Sequence, residues 1–163
     1  MTRLLCSLCL LLALCACGSS ASGTRNSRSS SYSKASSPTE QIIQHAVSFE
    51  GTRYRFGGTS KAGMDCSGLV YVSFKEADLE LPRVSRDMAK QGRSVPLAKA
   101  KPGDLLFFDD DEGLITHVGI LLPNDRIIHA SGSVRVDKVD HQGIYNLSEG
   151  KYSHQLRLIK KIL

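Results

Sequence analysis

The sequence predicts an α+β domain in which N-terminal helices pack on an antiparallel β-sheet. Three observations predict it. Apolar residues recur at helical spacing up to about residue 92, they alternate or run together as in strands after residue 102, and turn residues break the strand segments closely enough for hairpins. Helices first and strands afterwards is the α+β order.

The chain begins with what reads as a targeting signal. Arg3 precedes an almost unbroken apolar run from Leu4 to Ala16. That run is too short for a transmembrane helix, which needs about 20 apolar residues, and suits the core of a signal peptide. It ends in Leu14-Cys15-Ala16-Cys17-Gly18. A small residue directly before a cysteine, with leucine three positions ahead of it, resembles the lipobox of bacterial lipoproteins. In such signals the cysteine becomes the acylated first residue, which makes residues 1–16 the signal peptide and Cys17 the site of lipidation. Cys15 is a poorer candidate, because bulky Leu14 would fill the cleavage position. A plain signal peptide or an uncleaved anchor is the alternative. Gly18 and Ser19 follow the cysteine where aspartate would mark retention in the inner membrane, so the analogy implies the outer membrane, facing the periplasm. Residues 17–36 are rich in serine and glycine and almost free of apolar side chains. Such a segment cannot bury enough surface to offset its ordering entropy and reads as a flexible tether.

The domain proper spans 37–163. Ser37-Pro38-Thr39-Glu40 has the form of a capping box with proline at the first helical position. Ile42, Ile43, Ala46 and Val47 then form one apolar helical face, and Gly51 is a natural stop. After a glycine-rich loop, Val70, Phe74 and Ala77 mark a second helix over about 67–77. A short third helix is expected from Ser85 to Gly92. Pro102-Gly103-Asp104 turns the chain into Leu105–Phe108, followed by strands at His117–Leu122, Arg126–Ser131, Val134–Val139 and Gln155–Ile159.

Charge narrows the function. The chain carries 21 basic and 16 acidic residues. Arg3, Arg25, Arg28 and Lys34 all precede the first acidic residue, Glu40, which leaves 17 basic against 16 acidic ones in the rest. A near-neutral domain has no electrostatic footprint for nucleic acid. The run Asp109-Asp110-Asp111-Glu112 lacks the alternating spacing of a calcium loop and reads as a solvated turn.

Of the five cysteines, Cys6, Cys9 and Cys15 leave with the signal and Cys17 takes lipid, so Cys66 remains as a lone thiol. A lone thiol in an oxidising compartment is either buried and inert or catalytic. Asp65-Cys66-Ser67-Gly68-Leu69 places it at the start of an amphipathic helix, ahead of the apolar face. There unpaired N–H groups and the positive helix end favour thiolate and could hold an oxyanion. A base must come from a histidine. His45 points off the apolar face of the first helix, and His141 and His154 sit in polar, turn-like contexts. His117 and His129 each lie in a strand. If Pro123-Asn124-Asp125 is a hairpin loop, Leu122 pairs with Arg126, and His129 falls opposite Gly119. His117 then faces Ser131, and the two histidines become diagonal neighbours on one sheet face, with Cβ atoms about 7 Å apart. Gly119 leaves room for the two rings to meet.

Gly51-Thr52-Arg53-Tyr54-Arg55-Phe56-Gly57-Gly58, Asp65-Cys66-Ser67-Gly68-Leu69, Leu81-Pro82-Arg83, Pro102-Gly103-Asp104-Leu105 and His117-Val118-Gly119-Ile120 together resemble the NlpC-type family of cell-wall cysteine endopeptidases. The resemblance runs in order over 39–163 and is nearest the Spr-type murein endopeptidase lipoproteins. It implies a minimal papain-like fold, with the nucleophile on a helix packed against a sheet that bears the histidine. It implies Cys66 as nucleophile, His117 as general base and acid, and His129 as the residue that orients the ring of His117. It implies Tyr54 as a cleft-lining residue that completes the oxyanion site, and Asp65 and Ser67 as substrate contacts. Neither cofactor nor metal is implied, and the partner is the peptide stem of peptidoglycan, acted on by a monomer. The bond implied is the cross-link between D-alanine and meso-diaminopimelate; the alternative is the D-glutamyl–diaminopimelate bond within one stem.

Other classes fit less well. A metal site built from Cys66, His117 and His129 would have gaps of 51 and 12 residues, whereas tetrahedral sites favour close pairs. Permuted acyltransferase relatives place the histidine before the cysteine. A tethering lipoprotein without catalysis gives no reason for a thiol at a helix start.

Overall fold

The computed structural model describes residues 36–109 and 112–163. The expected signal peptide, Cys17 and all but the last residue of the tether lie outside the described residues, as do Asp110 and Asp111 of the acidic run. In chain order the elements are α1 (Pro38–Val47), β1 (Thr59–Ser60), β2 (Gly63–Met64), α2 (Cys66–Lys75), α3 (Ser85–Met88), β3 (Arg93–Ser94), a 3₁₀ turn (Leu97–Lys99), β4 (Leu105–Asp109), β5 (Ile115–Leu122), β6 (Arg126–Ser131), β7 (Ser133–Val139), β8 (Gly143–Asn146) and β9 (Lys151–Lys161).

Helix α1 starts where its cap requires. The Ser37 hydroxyl accepts the Glu40 N–H at 3.2 Å, and the Glu40 carboxylate accepts the Ser37 N–H at 2.7 Å. Such a cap contributes about 1 kcal/mol. Ile42 and Ala46 are buried, whereas Val47 is partly exposed, so the apolar stripe is narrower than the spacing suggested. His45 is half-buried and its ring packs edge-on against Phe49, closer to the core than a solvated histidine. Helix α3 is a single turn that ends at Met88, short of Gly92.

Strands β1 and β2 pair only with each other, and β3 to β9 form one antiparallel sheet in the order β3-β9-β4-β5-β6-β7-β8, in which β8 also pairs with β9. Strands β4 to β9 therefore close into a six-stranded barrel. One edge of β9 carries β4, and its other edge carries β8 near residues 151–155 and β3 at residues 160–161. The α+β order holds, but the sheet curls on itself where hydrophobic patterning suggested only a surface for the helices. The closing strand β8 is four residues long, too short to register as a pattern, and β9 extends four residues before the expected start at Gln155.

Closure gives the sheet two apolar faces. Outside, Leu105, Phe107, Val118, Ile120, Ile128 and Val134 pack with Leu69, Val70 and Phe74 of α2 and Ile42 of α1. Inside, Leu106, Phe108, Leu121, Ile127, Val139, Ile144 and Ile159 fill the barrel. That is why Leu105-Leu106-Phe107-Phe108 is an unbroken apolar run: alternate residues face different cores, and all four are fully buried. Burying each side chain contributes about 1.5–3 kcal/mol.

The β5–β6 hairpin sets the register. Leu122 pairs with Arg126 and His129 with Gly119, where the ladder ends short of any pairing between His117 and Ser131. Asn124 and Asp125 adopt left-handed backbone conformations in the loop, which these two residue types tolerate better than most. Gly119 is required for a different reason than ring clearance. A Cβ there would sit 2.6 Å from Ile127 Cδ1 and 2.9 Å from the Ile128 carbonyl oxygen.

Candidate active site

The site lies where the start of α2 meets β5. Asp65 caps α2: Oδ1 accepts the Gly68 N–H at 2.6 Å. Its Oδ2 accepts the Gly57 N–H at 2.6 Å, tying the glycine-rich loop to the helix start. Arg83, from the Leu81-Pro82-Arg83 string, reaches over both. Its Nη1 donates to Asp65 Oδ1 at 2.9 Å and to Ser67 Oγ at 2.8 Å, and its Nη2 donates to Asp65 Oδ2 at 2.8 Å and to the Gly58 carbonyl. The oxygens of Asp65 and Ser67 are thus engaged within the chain, although both residues line the cleft beside Cys66.

Cys66 is the first residue of α2, and its free thiol is buried. Sγ lies 4.0 Å from the Thr116 carbonyl oxygen, so β5 passes the sulfur one residue before His117. Tyr54 is anchored by its N–H to the Gly132 carbonyl at 2.9 Å. Two cavities meet along Tyr54, Cys66 and Thr116. One, of about 390 Å³, runs past Phe56, Arg83 and Val84. The other, of about 310 Å³, runs past His117, Ser131 and His154.

Behind His117 the barrel interior holds a line of polar groups. His117 Nε2 is 2.8 Å from His129 Nδ1, and His129 Nε2 is 3.0 Å from Asp137 Oδ2. Asp137 Oδ1 accepts the Leu147 N–H at 2.9 Å, and Arg135 Nε lies 2.7 Å from Oδ2. His154 stacks on His117, with ring centroids 4.2 Å apart and planes inclined by 27°. Phe108 lies 5.8 Å from the His117 ring.

Burial dominates the electrostatics. It pushes the Cys66 thiol up, assisted by the neighbouring Asp65 carboxylate and opposed by N–H groups of Val118, Ser67 and Cys66 itself. The helix start therefore does not by itself make a thiolate: desolvation outweighs the N–H groups. The sulfur needs a proton acceptor. Burial, with the charges of His129, His154 and Arg135, holds His117 well below the usual imidazole range, so its lone pair is available. Burial also lowers His129, against the pull of Asp137. For Asp137 burial acts upward, but hydrogen bonds from His129 and Leu147 and the Arg135 charge hold it below its ordinary value.

The structure brings Cys66, His117, Tyr54, Asp65 and Ser67 around one pair of cavities and puts His129 against His117. It adds Asp137, His154 and Arg83. Asp137 could have been found from the hairpin that follows β6: His129 pairs with Arg135, which makes Asp137 a diagonal neighbour on the same face. Nothing in the chain pattern points to His154, whose place depends on barrel closure. Among the described residues no three His, Cys, Asp or Glu side chains are grouped to hold a metal ion.

Residues 51–155 match the model of the NlpC/P60 family. The chain is 43% identical over 93 residues to the gamma-D-glutamyl-L-lysine dipeptidyl-peptidase of Bacillus subtilis, covering 56% of this chain and 31% of that protein. It is 39% identical over 94 residues to the murein DD-endopeptidase MepS/murein LD-carboxypeptidase of Escherichia coli, covering 57% of this chain and 50% of that one. The match spans a third to a half of the length of these relatives. Among solved structures, the peptidoglycan hydrolase RipB of Mycobacterium tuberculosis superposes with a TM-score of 0.63 at 32% identity, covering 77% of this chain and 65% of that one.

Proposed function

Because the chain belongs to the NlpC/P60 family, we propose that it is a cysteine endopeptidase of peptidoglycan with a minimal papain-like fold. The observation that carries this reading is that Cys66 and His117 line one cleft while His129 occupies the far nitrogen of His117. Cys66 Sγ attacks the scissile carbonyl carbon as His117 takes the thiol proton. The carbonyl electron pair moves onto oxygen, where N–H groups at the start of α2 and the Tyr54 phenol are the nearby donors. Collapse breaks the C–N bond; the leaving amine takes the proton from His117, and the acyl group stays on sulfur as a thioester. Water then attacks the thioester, giving its proton to His117, and the departing thiolate recovers that proton. His129 orients His117 throughout. Asp65 and Ser67 form the wall beside the acyl group.

The bond assigned is the cross-link between D-alanine and meso-diaminopimelate. Cavities on both sides of Cys66 favour it, because a bridge carries peptide on each side of the scissile bond, and the MepS relative is named a DD-endopeptidase. Cleavage at the D-glutamyl bond within one stem is the second reading, favoured by the Bacillus relative. With lipid on Cys17, the protein works as a monomer at the outer membrane, facing the periplasm, and binds no nucleic acid. The tether of residues 17–36 reaches about 25 Å as a flexible coil, which brings a wall lying beneath the membrane within range.

The test is to incubate the full chain and its Cys66→Ala variant with cross-linked muropeptide dimers and identify the products by mass spectrometry. Intact tetrapeptide monomers from the wild type alone support the assignment. Alanyl-glutamyl fragments with the cross-link preserved replace the bond and keep the cysteine chemistry. No cleavage by the wild type overturns the enzyme reading.

A further inference from the structure

We infer that Asp137 is a positioning residue that sets the tautomers of His129 and His117, and so makes Nδ1 of His117 the atom that takes the Cys66 proton. The inference deepens the peptidase reading above and rests on it for the role of Cys66.

Asp137 is 2% exposed, and each of its oxygens is occupied. Oδ1 takes the Leu147 N–H, and Oδ2 faces both the Arg135 guanidinium and His129 Nε2. A carboxylate held against a guanidinium stays ionised and can only accept hydrogen bonds. His129 Nε2, 3.0 Å away, must therefore carry hydrogen. A neutral imidazole has one N–H, so His129 Nδ1 presents a lone pair. His117 Nε2 stands 2.8 Å from that lone pair and must donate to it. The single N–H of neutral His117 is then on Nε2, and Nδ1 is left bare. The direction of every bond in the line follows from one fixed charge at its buried end.

The same line serves the protonated state. When His117 takes the thiol proton, its Nε2–H bond to His129 is already formed and already aimed, so no ring has to rotate. The negative charge of Asp137, relayed through His129, favours the new cation. Removing the carboxylate leaves both histidines free to adopt the opposite tautomer, in which His117 offers an N–H where the sulfur needs a lone pair.

The test is long-range 1H–15N NMR of the full chain labelled with 15N-histidine, with resonances assigned from single-histidine variants. In the wild type at neutral pH, His117 and His129 should both show a protonated Nε2 and a bare Nδ1. A protonated Nδ1 on His117 in the wild type overturns the inference without recourse to any variant of Asp137. In Asp137→Ala the two signals should shift toward a tautomer mixture. Its kcat on muropeptide dimers should fall about 10- to 100-fold, by analogy with the loss of groups that orient metal-bound histidines, with KM within about twofold. An Asp137→Ala protein with wild-type tautomers and wild-type kcat also overturns it. Wild-type tautomers as stated in a chain that cleaves no muropeptide would support the assignment of the line while removing the peptidase reading, so the two failures are distinguishable.

Discussion

Arg83 grips Asp65 with both prongs of its guanidinium, at 2.9 Å to Oδ1 and 2.8 Å to Oδ2, one residue from the candidate nucleophile. Asp65 is simultaneously the cap of α2 and the anchor of the glycine-rich loop. The geometry of Cys66 therefore hangs on a residue that is distant in sequence.

Lysine cannot reproduce a two-pronged grip. Arg83→Lys should cost about 2 kcal/mol in urea unfolding, the scale of a charged hydrogen bond pair that is partly exposed, and should lower kcat. Burial alone would raise Asp65; the Arg83 fork and the Gly68 and Gly57 N–H groups overcome it and hold the carboxyl below its ordinary value. The stability from that shift is present above about pH 4, the unfolded carboxyl value, and is lost as pH falls through the lower folded value. Asp65→Asn should flatten acid unfolding below pH 4. An acid limb identical to wild type would contradict this.

His154 gives a second titration in the same sense, at higher pH. Burial, followed by the charges of His129 and Arg135, brings it down to about 4. The unfolded chain then takes a proton that the folded chain refuses. Stability is full above about pH 6.5, the unfolded imidazole value, and is lost as pH falls from there toward 4. His154→Phe keeps a ring against His117 and removes this contribution. Its Tm, followed by circular dichroism, should fall less than that of the wild type between pH 7 and 4.5. His117 and His129 act in the same sense, so a smaller slope remains.

His129 should behave as a graded position. In His129→Asn the side-chain carbonyl can accept from His117 while the amide donates to Asp137, preserving the polarity of the line. That variant should retain part of the muropeptide turnover, and His129→Leu, which leaves Asp137 and His117 without their partner, should retain less. Equal and complete loss in both would mean that His129 and not His117 is the base.

Gly68 tests the approach of loop to helix. A Cβ there would collide with the Gly58 carbonyl oxygen and come within 2.9 Å of Asp65 Oδ1. The obstruction is backbone, which cannot swing aside as a side chain can. Gly68→Ala should be destabilised by at least about 1–3 kcal/mol, the usual range for overpacking, and should label more readily at Cys66 with iodoacetamide as the loop lifts. Unchanged labelling and stability would show that the loop does not lock the helix start.

The anchor prediction rests on Leu14-Cys15-Ala16-Cys17. Intact mass of protein extracted from membranes should show acylation at Cys17, and Cys17→Ala should yield an unacylated protein in the soluble fraction. An unmodified Cys17 in the wild type would remove the anchor.

What could be read in the sequence is what local chemistry decides. The Ser37 to Glu40 box starts α1 because both partners lie within one turn of each other. The Pro123-Asn124-Asp125 loop sets Leu122 against Arg126, and the period of two carries that register to His129 and Gly119. The thiol at a helix start follows from a cysteine that stands just ahead of an apolar helical stripe. These features depend on residues a few positions apart, and a linear pattern contains them.

The rest waits on contacts between distant segments. Barrel closure depends on β8 meeting the first half of β9, and neither has enough alternation to announce a strand. Only that closure brings His154 onto His117 and encloses the line from His117 to Asp137. The protonation state of Cys66 is decided in the same way. A helix start argues for thiolate, but the cost of desolvation depends on everything packed around the sulfur. The sequence by itself determined which groups could do chemistry and the hairpin that aligns two of them. Only the tertiary structure decided which of them touch, how deeply they are buried and which way their hydrogen bonds run, because burial and contact are properties of the assembled chain.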